Sequence, residues 1–234
     1  MDRPIYVLHA LGVYARENPP TSLEALAAYH AEAIRRVQPH GPYYLCGWSL
    51  GGLLSYEIAC QLRQRGEDIA FIGMIDSYHP ALLQNSAFDA VSAAEQRDAM
   101  ILAFLSSYVP ESDRAVLAQL QRPIDEKKAV DLCSYHRWLP ADITGEALLL
   151  RLNTALYIRP LGLKYTPSSS DLTVNLYTAE MHENDDRWRG WRDIVGVRSS
   201  LHPIGEHISR SCSNLVLAQL AAHLAAHLLP RGAL

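Results

Sequence analysis

The stretch Tyr43-Tyr44-Leu45-Cys46-Gly47-Trp48-Ser49-Leu50-Gly51-Gly52 restricts the fold more than any other, because an amphipathic segment, Leu53 to Arg65, follows at once. An apolar run, a Gly-x-Ser-x-Gly turn and a helix in that order form the context of a nucleophile elbow. Such a turn is tight enough to hold its serine in strained backbone. Gly47 and Gly51 therefore read as positions kept free of side chains so that strand and helix can approach. Ser49 would stand at the carboxyl end of a strand and the start of a helix, with the Leu50 amide free to hold an oxyanion. The same five-residue pattern also arises by chance in Gly/Ser-rich turns. The strand before it and the helix after it favour a serine nucleophile.

The rest of the chain follows a matching rhythm. Pro4 to Leu8 is a short apolar run that reads as a buried strand. Thr21 or Ser22 caps a helix running to about Val37, with Glu24 in its first turn. Pro39-His40-Gly41-Pro42 breaks it before the elbow strand, and Gly66 ends the elbow helix ahead of a strand from Ile69 to Ile75. The resulting β-α-β-α-β order predicts parallel strands with right-handed crossovers. From Pro80 to about Ser170 the pattern is helical, near residues 92–109, 113–120, 126–138 and 145–158. A helical insertion after a sheet strand reads as a lid over the active-site end, with a second packed subdomain as the bland alternative. Leu172 to Tyr177 and Val197 to Ile204 then read as strands, and Ser213 to Leu229 as a closing helix.

The bulk figures fit one α/β domain with an insertion. The chain has 234 residues, 49% hydrophobic and 20% charged, with a net charge of −4. No Lys/Arg block occurs, which argues against nucleic acid or an anionic membrane as partner. No apolar run reaches the roughly 18 residues of a membrane span. Cys46, Cys60, Cys133 and Cys212 form no C-x-x-C pair and read as reduced thiols of a cytoplasmic protein. Cys46, on the elbow strand, reads as core rather than nucleophile. His223 and His227 have the spacing of a zinc helix but no Glu between them, so surface histidines are the simpler reading and no metal is expected. No phosphate-cradling loop occurs, so no nucleotide is expected either.

A serine hydroxyl needs an adjacent imidazole, itself oriented by a carboxylate. In this architecture the partners follow in the order serine, acid, histidine, on loops after strands. His207, in Gly205-Glu206-His207 after a late strand, fits the base. His9 and His182, also at strand ends, compete, while His202 lies inside a strand. For the acid, Asp76 closes the strand after the elbow helix, and an aspartate there needs a partner. Glu183, Asp185 and Asp186, in the loop after Tyr177, remain the alternative.

Gly41-Pro42-Tyr43, Gly47-Trp48-Ser49-Leu50-Gly51-Gly52, Ile75-Asp76-Ser77-Tyr78, Trp188-x-x-Trp191 and Gly205-Glu206-His207 together resemble the type I thioesterase domains that end non-ribosomal peptide and polyketide synthetases, of the α/β-hydrolase superfamily. Glu17 to Leu23 shares the likeness, which runs from Pro4 to the closing helix and is weakest in the helical insertion. The resemblance implies a mostly parallel sheet flanked by helices, a single domain over residues 1–234 and a helical lid over 80–170. It also implies the triad Ser49, Asp76 and His207, with the acid 76 − 49 = 27 residues after the serine. That interval tilts the choice towards Asp76. The implied reaction moves an acyl or peptidyl chain from the phosphopantetheine of a carrier protein to Ser49. Release to water or to an internal amine or hydroxyl follows, with no further cofactor.

By the same resemblance, Pro4–Leu8 matches the family's second-to-last strand before the serine. The strand and Gly-rich loop that supply the second oxyanion donor have no counterpart; His9-Ala10-Leu11-Gly12 is the one segment that could mimic the loop. The expectation is a truncated copy, a fragment or a domain that borrows a strand. Three alternatives stand beside carrier-bound chain release. One is a stand-alone editing thioesterase and another an ordinary esterase, each using an acid after Tyr177. The third is an inactive remnant that only docks a carrier domain.

Overall fold

The computed structural model describes residues 4–10, 12–83, 91–178, 186–196 and 198–203. It divides into two compact units, Ser22–Leu83 with Lys164–Leu234, and Met1–Thr21 with Gln84–Leu163.

The first unit holds the sheet. Four strands, β1 (Tyr43–Trp48), β2 (Ile69–Ile75), β3 (Asn175–Thr178) and β4 (Ser200–Pro203), lie in sequence order and pair in parallel throughout. Helix α1 (Leu23–Val37) precedes β1, and α2 (Leu50–Gln64) joins β1 to β2. Ser22 caps α1, its hydroxyl accepting a 3.1 Å hydrogen bond from the Ala25 amide. Gly66 ends the α2 region at φ 83°, a conformation that favours glycine. The α1 and α2 faces, with Leu23, Ala27, Tyr56 and Leu62, pack on Tyr43, Leu45, Ile72, Met74 and Leu176 as one core. Burial of this apolar face, rather than helix propensity, holds the helices to the sheet.

Two expectations fail at the near edge of the sheet. Pro4 to Leu8 is not a strand: it has no ladder partner among the described residues, and Ile5, Tyr6 and Val7 are 89%, 67% and 69% exposed. An extended apolar segment becomes a strand only when a neighbour satisfies its amides and carbonyls. The sheet of the described residues starts at β1. Cys46 is likewise not a core residue. Side chains alternate along β1, so Tyr43 and Leu45 enter the core while Tyr44, Cys46 and Trp48 are exposed on the other face.

A short helix, α3 (Pro80–Leu83), follows β2. The second unit is helical: α4 (Ala93–Leu105), α5 (Arg114–Ala118), α6 (Glu126–Tyr135) and α7 (Gly145–Lys164). Ile101, Leu105, Leu117, Val130, Leu148 and Leu152 are buried in a core of their own. Inside it Asp98 accepts a 2.8 Å hydrogen bond from the Ile124 amide and faces Arg122 at 3.4 Å, which compensates a buried charge. Tyr157 donates to the Pro20 carbonyl and its ring lies 6.4 Å from that of Tyr14, tying the early chain to this unit. Helix α7 runs past the expected end at Ile158, through Pro160, since an interior proline forfeits one amide hydrogen bond without forbidding the turns on either side. No helix among the described residues is long and apolar enough to cross a membrane.

Candidate active site

Ser49 sits between β1 and α2 at φ 52°, ψ −119°, a region L-residues rarely occupy. Strain of that kind costs about 1–3 kcal/mol and persists only where surrounding contacts impose it. Here the contacts are specific. The Ser49 amide donates to the Ile75 carbonyl at 2.7 Å, and the Ser49 carbonyl accepts from the Gly52 amide at 3.0 Å and from Ser77 Oγ at 2.8 Å. The serine is exposed and leads directly into the first turn of α2. Leu50 opens that helix, so its amide belongs to the set that has no carbonyl four residues back.

The glycines divide differently from the expectation. A Cβ on Gly47 would lie 2.0 Å from the Gly51 carbonyl oxygen, so the strand needs a glycine there. Gly51, by contrast, has open space around it. The second position that cannot carry a side chain is Gly52, where a Cβ would meet Ser77 Oγ at 2.0 Å.

Asp76 follows β2 directly, and Trp48 pairs with Ile75, so Ser49 and Asp76 leave adjacent strands at the same end of the sheet. The Asp76 backbone is also left-handed, at φ 47°, with its amide bonded to the Tyr177 carbonyl at 2.7 Å. Its side chain, 16% exposed, faces Arg189, whose Nη2 lies 2.8 Å from Oδ1. Neither that oxygen nor Arg189 Nε makes a well-aligned hydrogen bond among the described residues, so the contact is one of charge.

Of the alternative acids, Asp186 has both carboxylate oxygens engaged, by the Trp188 amide at 2.9 Å and the Gly190 amide at 2.6 Å. It shapes its own turn. Glu183 and Asp185 lie outside the described residues, as do His182, His207 and the pair His223 and His227. His9 is exposed on the segment that forms no strand. His202 stays on β4, stacked on Tyr177 at 4.9 Å and bonded to Ser200 Oγ at 2.8 Å.

Two residues near the site carry no obvious signal in the sequence. His79 packs edge-on against Trp191 at 5.5 Å, and burial lowers its pKa. Arg189 lies between the two tryptophans of Trp188-x-x-Trp191, and only its basic character inside an apolar motif could have drawn notice.

A serine held in strained backbone at a strand–helix junction, with a carboxylate on the next strand end, suits nucleophilic acyl transfer. A family profile for the thioesterase domain matches residues 3–136. The chain belongs to the thioesterase domain family. Thioesterase-family domains are enzymes of the serine-hydrolase type with the α/β-hydrolase fold, and the parallel sheet flanked by helices is that fold. The thioesterase-family chain is 33% identical over 171 residues to a dimodular nonribosomal peptide synthase of Bacillus subtilis (strain 168), a match over 72% of this chain and 7% of the relative. It is 30% identical over 182 residues to an inactive atromentin synthetase of Paxillus involutus, covering 76% of this chain and 18% of that one. Among solved structures, a four-domain nonribosomal peptide synthetase bound to AMP and glycine superposes with a TM-score of 0.72. That match has 22% identity over 92% of this chain and 17% of the other. The chain therefore spans well under a quarter of the length of these relatives.

Proposed function

We propose that this thioesterase domain releases an acyl or peptidyl chain from the phosphopantetheine of a carrier domain through an acyl-enzyme on Ser49. In this reading Ser49 Oγ attacks the thioester carbonyl and gives its proton to His207. Asp76 holds the imidazole and stabilises its charged form, and the Leu50 amide faces the developing oxyanion. Collapse of the tetrahedral intermediate expels the pantetheine thiolate, which takes the proton from His207. Water, or an amine or hydroxyl of the chain itself, then attacks the ester with His207 again as base, which makes the outcome hydrolysis or cyclisation. Kinship with synthetase regions supports a carrier-borne substrate. The observation that carries the reading is the backbone of Ser49, held at φ 52° one strand away from Asp76.

The test is turnover of an acyl-pantetheine thioester, read as thiol release, by the wild type and by Ser49→Ala, Asp76→Asn, His207→Ala and Asp185→Asn. The reading expects the first three variants to lose release and Asp185→Asn to keep it. Retained release by Asp76→Asn with loss in Asp185→Asn would transfer the acid to the loop after Tyr177. A second reading, a domain that docks a carrier without turnover, draws on the inactive status of the Paxillus relative. It requires carrier binding with no thiol release by the folded wild type.

A further inference from the structure

Around Asp76 the chain is held, besides its bonds to Tyr177 and Ser49, by a set of contacts from the turn at residues 186–191. Arg189 has a side chain 2% exposed and a left-handed backbone at φ 52°, followed by Gly190 at φ 82°. Its amide donates to the Asp186 carbonyl at 2.9 Å and its carbonyl accepts from the His79 amide at 2.8 Å. Two residues on, Trp191 Nε1 donates to the Ser77 carbonyl at 3.0 Å. The Arg189 guanidinium carbon also lies 4.0 Å from the centre of the Tyr78 ring. Every residue from Asp76 to His79 is thus touched by the turn that carries Arg189, and the turn itself is fixed by the Asp186 carboxylate.

We propose that Arg189 is a positioning residue for acyl transfer, its buried guanidinium holding the Asp76 carboxylate in place at the strand end. The inference rests on the reading of Asp76 as the acid that orients the base. An acid that orients a base must keep its carboxylate in one place and one rotamer, and a charged partner at 2.8 Å supplies that constraint. A guanidinium suits the task because it does not give up its proton in a protein. Burial pushes the Arg189 guanidinium down from its ordinary range, and the Asp76 charge pulls it back up. The ion pair is made through Oδ1, and orienting a base needs one carboxylate oxygen. Two left-handed residues face each other across the pair, Asp76 and Arg189, and such strain at both partners marks a geometry that the surrounding contacts over-determine.

The experiment measures the second-order rate of Ser49 labelling by a fluorophosphonate for the wild type, Arg189→Met, Arg189→Lys, Asp76→Asn and the double variant Arg189→Met/Asp76→Asn. Each is checked for folding by circular dichroism. Loss of a charge-assisted contact predicts labelling slowed about tenfold or more in Arg189→Met. Arg189→Lys should recover part of the rate, and Arg189→Met should add nothing in the Asp76→Asn background. A purely structural role would leave the labelling rate of folded Arg189→Met unchanged, or would make its effect multiply with that of Asp76→Asn. Either result overturns the proposal. Should Arg189→Met not fold, Arg189→Lys decides alone, measured with and without Asp76→Asn: slower labelling that vanishes as a separate effect in the Asp76→Asn background supports the positioning role, and an unchanged rate with Asp76 present, or a further loss in Asp76→Asn, overturns it. Asp76→Asn labelling at the wild-type rate would instead overturn the underlying assignment of the acid.

Discussion

Neighbouring glycines of the elbow should respond in opposite directions to the same substitution. In Gly52→Ala the new methyl would sit 2.0 Å from Ser77 Oγ, 2.9 Å from Ser77 Cβ and 3.2 Å from the Gly47 carbonyl oxygen. The hydroxyl cannot stay, and with it goes the hydrogen bond to the Ser49 carbonyl at 2.8 Å, worth about 1 kcal/mol. Displacing Ser77 Cβ and the α2 backbone adds a packing cost of about 1–3 kcal/mol. The sum is about 2–4 kcal/mol of destabilisation. In Gly51→Ala the methyl enters open space within α2, at a residue with no left-handed backbone. There alanine gains up to about 1 kcal/mol over glycine through helix propensity. Urea unfolding monitored by circular dichroism would compare both variants with the wild type. Gly52→Ala should lower the midpoint and Gly51→Ala should hold or raise it. Combining Gly52→Ala with Ser77→Gly, which removes the obstructing atoms, should cost less than the two single changes added together. Equal midpoints for Gly51→Ala and Gly52→Ala would refute the packing of the elbow described above.

Ser22→Ala removes the N-cap of α1 and should cost about 1 kcal/mol, read as a lower thermal midpoint, whereas Ser22→Asp should restore most of it. Tyr56→Phe deletes a hydroxyl that donates to the Ser168 carbonyl at 2.8 Å and lies 2.9 Å from Ser170 Oγ. The site is only partly buried and its partners can turn to water, so the expected loss is about 1 kcal/mol in a denaturant titration. His30 is buried and its pKa is lowered from 6.5 by burial. Protonation therefore favours the unfolded chain, so stability is full above about pH 6.5 and falls as the pH drops through that value. His30→Phe should flatten this slope between pH 7 and about pH 5, measured by midpoint against pH.

What could be read from the residues alone depended on how local the cause was. The strand Ile69–Ile75 was legible to its ends because its apolar run is bounded by Asp68 and Asp76. The α1 cap was legible because Ser22 bonds three residues ahead. Ser49 was legible because its strain is written into the turn. Pro4–Leu8 misled because apolar character shows that a segment wants burial, not that a partner strand exists. Gly52 was missed because its neighbour, Ser77, arrives from the next strand end, 77 − 52 = 25 residues away. Arg189 was missed for the same reason at longer range: its partner Asp76 lies 189 − 76 = 113 residues earlier. The helical run was recognised from its pattern, but its ends moved by several residues, most at α7, which continues through Pro160 to Lys164.

The measurement closest to the central claim is the intact mass of the folded protein after brief incubation with an acyl-pantetheine thioester, followed by fragmentation to locate any added acyl group. The account predicts a single adduct of the acyl mass on Ser49, absent from Ser49→Ala. An unmodified protein that nevertheless consumes the thioester, or an adduct on another residue such as the exposed Cys46, would contradict it.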